Sequence, residues 1–327
     1  MKRRNFLKGL LVFGMVLVSI TMGKSGSFAQ KDYPNREIEL IVTFAAGGMA
    51  DLAFRAINDE MVKILGVPLV VINKAGAGGA IGAQYVSQAK PDGYTIMGSS
   101  QSSIVLLPIM QRNLPYKPSD LVPIARFVSI PQLFAVKKDA PWKTLGELIA
   151  YAKKNPGKLT CGTAGIGTGS HFLLEMLKIE AGVDIQHVPF KGGGEQHSAV
   201  LGGHVDSIST TTNPSLPLVK SGDLRALVAA EKIKQLPNVP TLAEMGYPKA
   251  ALTAYVGCMG PKGIPKSVVD KITNALERAV KVPSVVKYFE ETGGKIDYVA
   301  KEEFAREIEE DMKRLSDVVK KANIAVQ

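Results

Sequence analysis

The chain has 327 residues, 46% of them apolar and 21% charged, with a formal net charge of +10. That length exceeds what one compact core usually holds and predicts two lobes, while the composition excludes low complexity and no internal repeat suggests a solenoid. The basic residues form no dense block interleaved with aromatics, so nucleic-acid binding is excluded.

Residues 1–29 differ in kind from the rest. Lys2, Arg3, Arg4 and Lys8 give a basic start, Leu10 to Met22 is an apolar run short for a bilayer, and Ser27-Phe28-Ala29 places small residues where a signal peptidase reads. The pattern predicts an export signal cleaved after Ala29. Arg3-Arg4-Asn5-Phe6-Leu7-Lys8 also resembles a twin-arginine signal, and Sec and twin-arginine export both remain open. The signal carries five basic residues and no acidic one, so the mature chain keeps a formal charge of +5. Neither Cys161 nor Cys258 lies near the cleavage site, so no lipid anchor is expected, and both read as small buried hydrophobes rather than a disulfide. No later stretch reaches 18 uninterrupted apolar residues, which predicts a soluble periplasmic protein.

From Glu37 strands and helices alternate. Strands are predicted at 38–44, 69–72 and 94–98, with helices at 51–65 and from the Gly76–Gly79 turn to about 88; this βαβαβ order implies parallel pairing. A second unit follows, with strands at 134–136, 159–162, 185–190, 206–209 and 224–229. Its helices are predicted at 144–154, 170–181 and 195–201, the first with Thr144 and Glu147 as a capping box. Helices at 266–280, 283–292 and 301–322 close the chain. In the last, Phe304, Ile308, Leu315 and Val319 share one face.

Two loops have one design: a strand ends in a Gly-rich turn and a helix begins. They are Phe44 to Asp51 and Thr163 to Ser170. Helix starts leave N–H groups unpaired and carry partial positive charge, and glycine permits close approach, so such turns can hold a carboxylate or phosphate. Neither contains a P-loop or an in-register Gly-x-Gly-x-x-Gly, and Gly76, Gly78 and Gly82 miss the last spacing, so no nucleotide cofactor is expected. Neither loop holds a Gly-x-Ser-x-Gly elbow. His171, His187, His197 and His204 lack metal-ligand spacing and read as hydrogen-bonded structural groups, so no metal is expected. Asp51 can orient a ligand or stabilise the first helical turn, and Lys191 can pair with an acid or stay solvated.

The ordered motifs then become specific. Gly47-Gly48-x-x-Asp51, Asn73 with Gly76-Ala77-Gly78-Gly79, Pro91-Asp92-Gly93-Tyr94-Thr95, His187-Val188-Pro189-Phe190-Lys191-Gly192, Leu201-Gly202-Gly203, Leu224-Arg225-Ala226-Leu227 and Leu236 to Gly246 together resemble the receptors of tripartite tricarboxylate transporters, the Bug proteins. The resemblance implies an α/β, two-lobed periplasmic-binding-protein (Venus-flytrap) fold with a mostly parallel sheet in each lobe. Lobe 1 would combine 30–127 with 254–327, and lobe 2 would be 128–253. It implies a small carboxylate held between the lobes, with membrane permease subunits as partners and no catalysis. Carried over residue by residue, the ligand contacts would be Ala46, Gly47 and Asp51 from one lobe and Thr163, Gly167, Thr168 and Ser170 from the other. Ser99, Ser100 and Lys191 would be second contacts. Met49, Ala50 and Phe190 stand where the family favours smaller or hydroxylated residues, which implies a ligand less polar than citrate. A sensor's binding subunit and a secreted enzyme with Asp51 or Glu195 as base are the alternatives; the latter lacks a nucleophile, metal set or cofactor loop.

Overall fold

The computed structural model describes residues 33–111 and 113–321. The expected signal peptide lies outside the described residues. The chain divides into a short N-terminal unit, Met1–Asn35, and a body, Arg36–Gln327, which carries everything described below.

The body contains two sheets. The first is built from β1 (Ile38–Val42), β2 (Leu69–Asn73), β3 (Thr95–Ser100), β4 (Leu121–Ile130), β10 (Ala254–Pro261) and β11 (Lys295–Ala300), in the order β11-β4-β10-β3-β1-β2. The second is built from β5 (Gln132–Lys137), β6 (Thr160–Thr163), β7 (Gln186–Pro189), β8 (Ser207–Thr211) and β9 (Leu224–Ala229), in the order β7-β6-β8-β5-β9. Both sheets are mixed, which corrects the expectation of mostly parallel sheets. Only β1 with β2 and β3, and β6 with β7 and β8, run parallel; β10, β4, β11, β5 and β9 pair antiparallel. The cause is the path of the chain. It crosses from the first sheet to the second between β4 and β5 and returns into β10, and each crossing strand enters at the edge where parallel strands end.

β4 continues to Ile130, with Val128 to Ile130 still paired to β10, and Pro131 separates it from β5 of the second sheet. β4, β10 and β11 are absent from the expected elements. β4 and β10 are largely apolar but interrupted, by Pro123 and Arg126 in one and by Gly257 and Gly260 in the other, so neither shows the alternation that periodicity reads as a strand.

Helices follow the parallel strands. After β1 comes α1 (Met49–Leu65), and after β2 comes α2 (Ala80–Ser87). In the second sheet α3 (Leu145–Lys154) precedes β6, α4 (Gly169–Ala181) follows it, α5 (Gly193–Leu201) follows β7 and α6 (Thr212–Lys220) follows β8. Three helices end the body: α7 (Lys266–Ala279), α8 (Pro283–Glu291) and α9 (Lys301–Lys321). The expected cap of α3 is present: the Glu147 N–H donates to Thr144 Oγ1 at 3.2 Å, while the Glu147 carboxylate accepts from the Lys143 N–H rather than from the cap residue itself. On α9, Phe304, Leu315 and Val319 are buried, as their spacing predicts. Arg126 of β4 fastens this end, pairing with Asp297 of β11 at 2.5 Å and with Glu307 of α9 at 3.0 Å. Cys161 and Cys258 are buried free thiols on strands of different sheets.

The first core is closed by aromatic packing. Phe54 of α1 meets Phe127 of β4 edge-on at 5.0 Å between centroids. Gly98 of β3 lies directly beneath the Phe54 ring, so a Cβ there would collide with Cε2 and Cδ2. Phe54 is itself fully packed and has nowhere to retreat. Gly98→Ala is therefore expected to destabilise the fold by about 1–3 kcal/mol, as overpacking does. Denaturant unfolding of the two proteins, compared through midpoint and slope, measures it.

Candidate functional site

The two Gly-rich loops face one another across a narrow cleft of about 70 Å³. Its lining residues come from successive strand ends: Phe44, Ala45 and Gly48 to Ala50 after β1, Ser100 to Ser102 at the end of β3, Ala164 and Thr168 to Ser170 after β6, Gly192 and Gly193 after β7, and Thr210, Thr211 and Pro214 at the end of β8. Ligand sites of α/β sheets lie outside the carboxyl ends of parallel strands for the reason seen here: every crossover helix begins there. Gln132 and Ala254 reach the same place because β5 and β10 are antiparallel and start where their neighbours finish.

Four helix N-termini open onto this cleft. The N-cap residues are Gly48 for α1, Thr168 for α4, Gly192 for α5 and Thr211 for α6, and each, or its immediate successor, lines the cleft. Only Thr168 caps its helix with its side chain, accepting from the His171 N–H at 3.3 Å. The other three helices have no side-chain cap. No Lys, Arg, His, Asp or Glu is among the lining residues. Positive potential is thus supplied by backbone dipoles alone.

Of the residues expected at the site, Ser100, Thr168 and Ser170 line the cleft. The Ser170 hydroxyl accepts from the Ala164 N–H at 3.1 Å and shares a hydrogen bond of 2.9 Å with Thr168 Oγ1, which also donates to the Gly165 carbonyl. Ala46 and Gly47 are exposed and lie outside the lining. Asp51 is buried behind it. Its carboxylate accepts from the Gly47 N–H, Arg55 Nε and Asn73 Nδ2, each at 2.9 Å. Burial alone would raise the Asp51 pKa, but these three donors outweigh it and hold the pKa below the usual value. Asp51 therefore shapes the first loop and has no oxygen left idle for a ligand. Ser99 is buried among Thr43 and Ser103 hydroxyls. The Thr163 hydroxyl bonds to His187 Nε2 at 2.7 Å.

Gly167 and Lys191 sit elsewhere. Gly167 has a left-handed φ of +75° and packs on Leu107, bracing the loop from outside the cleft. Lys191 is exposed and lines a second, wider hollow of about 560 Å³ with Gly76 to Gly79, His171, Glu175 and His187. The lining residues that sequence reading missed are Gln101, Ser102, Gln132, Gln196, Thr210, Thr211, Pro214 and Ala254. Their signal was weak, because isolated glutamines and a Ser/Thr-rich strand end carry no motif. Loops from the two sheets touch at several points: a Cβ on Gly78 would meet the Ile166 carbonyl oxygen at 2.6 Å, and one on Gly192 would reach the Ala45 Cβ at 3.4 Å.

The second loop is supported from behind by two histidines. The rings of His171 and His187 stack at 4.2 Å, and His171 Nδ1 accepts from the Gly167 N–H at 3.3 Å. Desolvation, then the neighbouring His187 and Lys178, push the His171 pKa down to about 3; desolvation and Lys178 push His187 down to about 4. Both stay neutral in the folded chain while the unfolded chain takes up protons near pH 6.5. Stability is accordingly expected to be full above pH 6.5 and to fall progressively from there toward pH 4. Melting temperatures across that range, with His187→Gln flattening the decline, measure it.

The chain has relatives and structural neighbours across almost its whole length. The tripartite tricarboxylate transporter family receptor matches residues 53–324. The UPF0065 protein in gbd 5'region of Cupriavidus necator is 34% identical over 341 residues, covering 99% of each chain. The periplasmic binding protein BugD superposes with a TM-score of 0.86 at 31% identity, over 90% of this chain and 100% of that one. MatC from Rhodopseudomonas palustris with bound malate gives 0.83 at 30%, over 88% and 100%. An R. palustris protein with adipate gives 0.87 at 27%, over 90% and 100%. With sequence and fold agreeing over nearly all of the body, the chain belongs to the family of tripartite tricarboxylate transporter receptors, which are periplasmic solute-binding proteins.

Proposed function

We propose that this chain is the extracytoplasmic receptor of a tripartite tricarboxylate-type uptake system, exported by its N-terminal signal, which closes two lobes on a small carboxylate and passes it unaltered to membrane permease subunits. The observation that carries this reading is the convergence of four helix N-termini, three of them without a side-chain cap, on a cleft lined by no ionisable side chain. Such a cleft favours an anion through backbone N–H groups and offers no acid, base or nucleophile aligned for chemistry. The malate and adipate held by two structural neighbours are of the same chemical class. Phe44, Ala45 and Met49 supply an apolar wall for the carbon skeleton. The lobes are 36–130 with the chain from Ala254 onward, and 132 to about 253, joined by the two crossings beside Pro131 and Thr253.

Hydrogen bonds to a charged group are worth about 1.5–3 kcal/mol each, so replacing the carboxylate of a bound acid by its amide is expected to weaken binding at least about tenfold. Calorimetry on acid and amide pairs reads this directly; equal affinities would contradict an anion site. Because Gly192 meets Ala45 across the cleft, Gly192→Val is expected to prop the lobes apart. Its φ of 166° is extended backbone, so the substitution strains nothing locally. The variant should keep its ligand-free melting temperature, bind acids more weakly, and show no reduction in radius of gyration when a saturating acid is added, whereas the parent protein contracts.

A further inference from the structure

Three glutamines line the cleft, and all three are buried: Gln132 and Gln196 completely, Gln101 to 2% exposure. Each has its amide nitrogen committed to an acceptor. Gln132 Nε2 donates to the Leu252 carbonyl at 2.9 Å, Gln196 Nε2 to the carbonyls of Gly162 at 2.9 Å and Ser209, and Gln101 Nε2 to Asp311 Oδ2 at 2.6 Å. Those partners are oxygens that only accept, so the amide orientation is fixed: a flip would set oxygen against oxygen. In each case the carbonyl oxygen Oε1 is then buried without a hydrogen-bond partner. An unpaired buried acceptor is costly, and three bordering one cleft point to a donor that arrives with the ligand. A carboxylate has no proton to give, so the anion that suits the helix starts cannot serve these oxygens.

The kind of donor follows from charge. An ammonium group would enter a site ringed by helix N-termini with no acidic side chain among its lining residues, and would be repelled. A neutral hydroxyl or amide N–H meets no such opposition. Gln132 and Gln196 flank the carboxyl end of β8: Gln132 pairs with Thr211, and the Gln196 amide reaches back to Ser209. The Gln132 amide also lies against the first residue of α4, where a Cβ on Gly169 would stand 3.0 Å from its Nε2 and 3.4 Å from its Oε1. The Gln132 acceptor therefore sits beside the helix start rather than in a separate recess.

We propose that Gln132 and Gln196 are specificity-determining residues that read a neutral hydrogen-bond donor on the ligand, so that the preferred substrate is a hydroxylated or amide-bearing carboxylate rather than the unsubstituted acid or the amino acid. This rests on the carboxylate reading of the same cleft. A site built to pair with a hydroxyl rejects the analogue lacking it, because its own buried groups are then left unpaired.

The test uses the mature protein and matched acids of three to eight carbons: the unsubstituted acid, its hydroxy, fluoro and amino derivatives, on succinate, adipate, propionate and phenylacetate skeletons. Fluorine keeps the size of the hydroxyl and removes its proton. On the skeleton that binds best, the hydroxy acid is expected to bind at least about tenfold more tightly than the unsubstituted and fluoro acids, and more tightly than the amino acid. In Gln132→Leu and Gln196→Leu the ratio of hydroxy to unsubstituted affinity is expected to fall toward one. This ratio is taken within one protein and is insensitive to a general loss of stability; if neither variant folds, the ligand series on the parent protein decides. Unsubstituted or fluoro acids binding as well as the hydroxy acid would overturn the inference and leave the carboxylate site standing. So would a ratio unchanged in both variants. Failure of every acid to bind would remove the carboxylate reading and this inference with it.

Discussion

The constraint on which the rest of the structure depends is the placement of helix starts at the carboxyl ends of parallel strands. A right-handed crossover leaves a strand, turns, and begins a helix whose first N–H groups have no partner within it. In each sheet the parallel strands send these starts to one edge, and the two edges face each other. Four N-termini then share one cleft, and their partial charges add without any cationic side chain. This explains why the most conspicuous charged residues of the sequence, Asp51 and Lys191, are not in the cleft.

Those residues act at one remove. Asp51 gathers the Gly47 N–H, Arg55 and Asn73, and so ties the first loop to α1 and to the end of β2. The corresponding support for the second loop is neutral: His171 accepts from Gly167, His187 bonds to Thr163, and their rings stack. One loop is held by a buried carboxylate with three donors and the other by uncharged imidazoles. The second arrangement can persist only while the histidines remain unprotonated, so proton uptake by the unfolded chain works against it below neutral pH.

The antiparallel strands have a different task. β4 passes through Pro131 into β5, and Thr212 at the start of α6 donates to the Pro131 carbonyl through both its N–H and its hydroxyl. The return path enters β10 at Ala254, and Gln132 Nε2 donates to the Leu252 carbonyl on that path. Gln132 thus joins the outgoing and returning chains while lining the cleft. The same side chain sits where ligand recognition and the geometry of the two crossings meet.

The sequence by itself determined a great deal that depends only on local chemistry. The strand-turn-helix units at 38–65 and 160–181, the Thr144 cap, the apolar face of α9 and the two Gly-rich loops are all legible, because each is set by neighbours within a turn or two of the chain. The ordered motifs placed the family. Local pattern did not locate β4, β10 and β11, whose pairing partners lie far away in sequence, and so it overstated the parallel character of the sheets. Nor could it sort the loop residues into those that line the cleft, such as Ser100, Thr168 and Ser170, and those that hold the loops from behind, such as Asp51, Thr163 and Gly167. Whether a side chain faces a ligand or a neighbouring loop depends on which element is packed against it. Gln101, Gln132 and Gln196 make the point most plainly. A glutamine in sequence is one polar residue among many, and only tertiary packing both brings it to the cleft and commits its nitrogen to a fixed acceptor, leaving one buried oxygen without a partner.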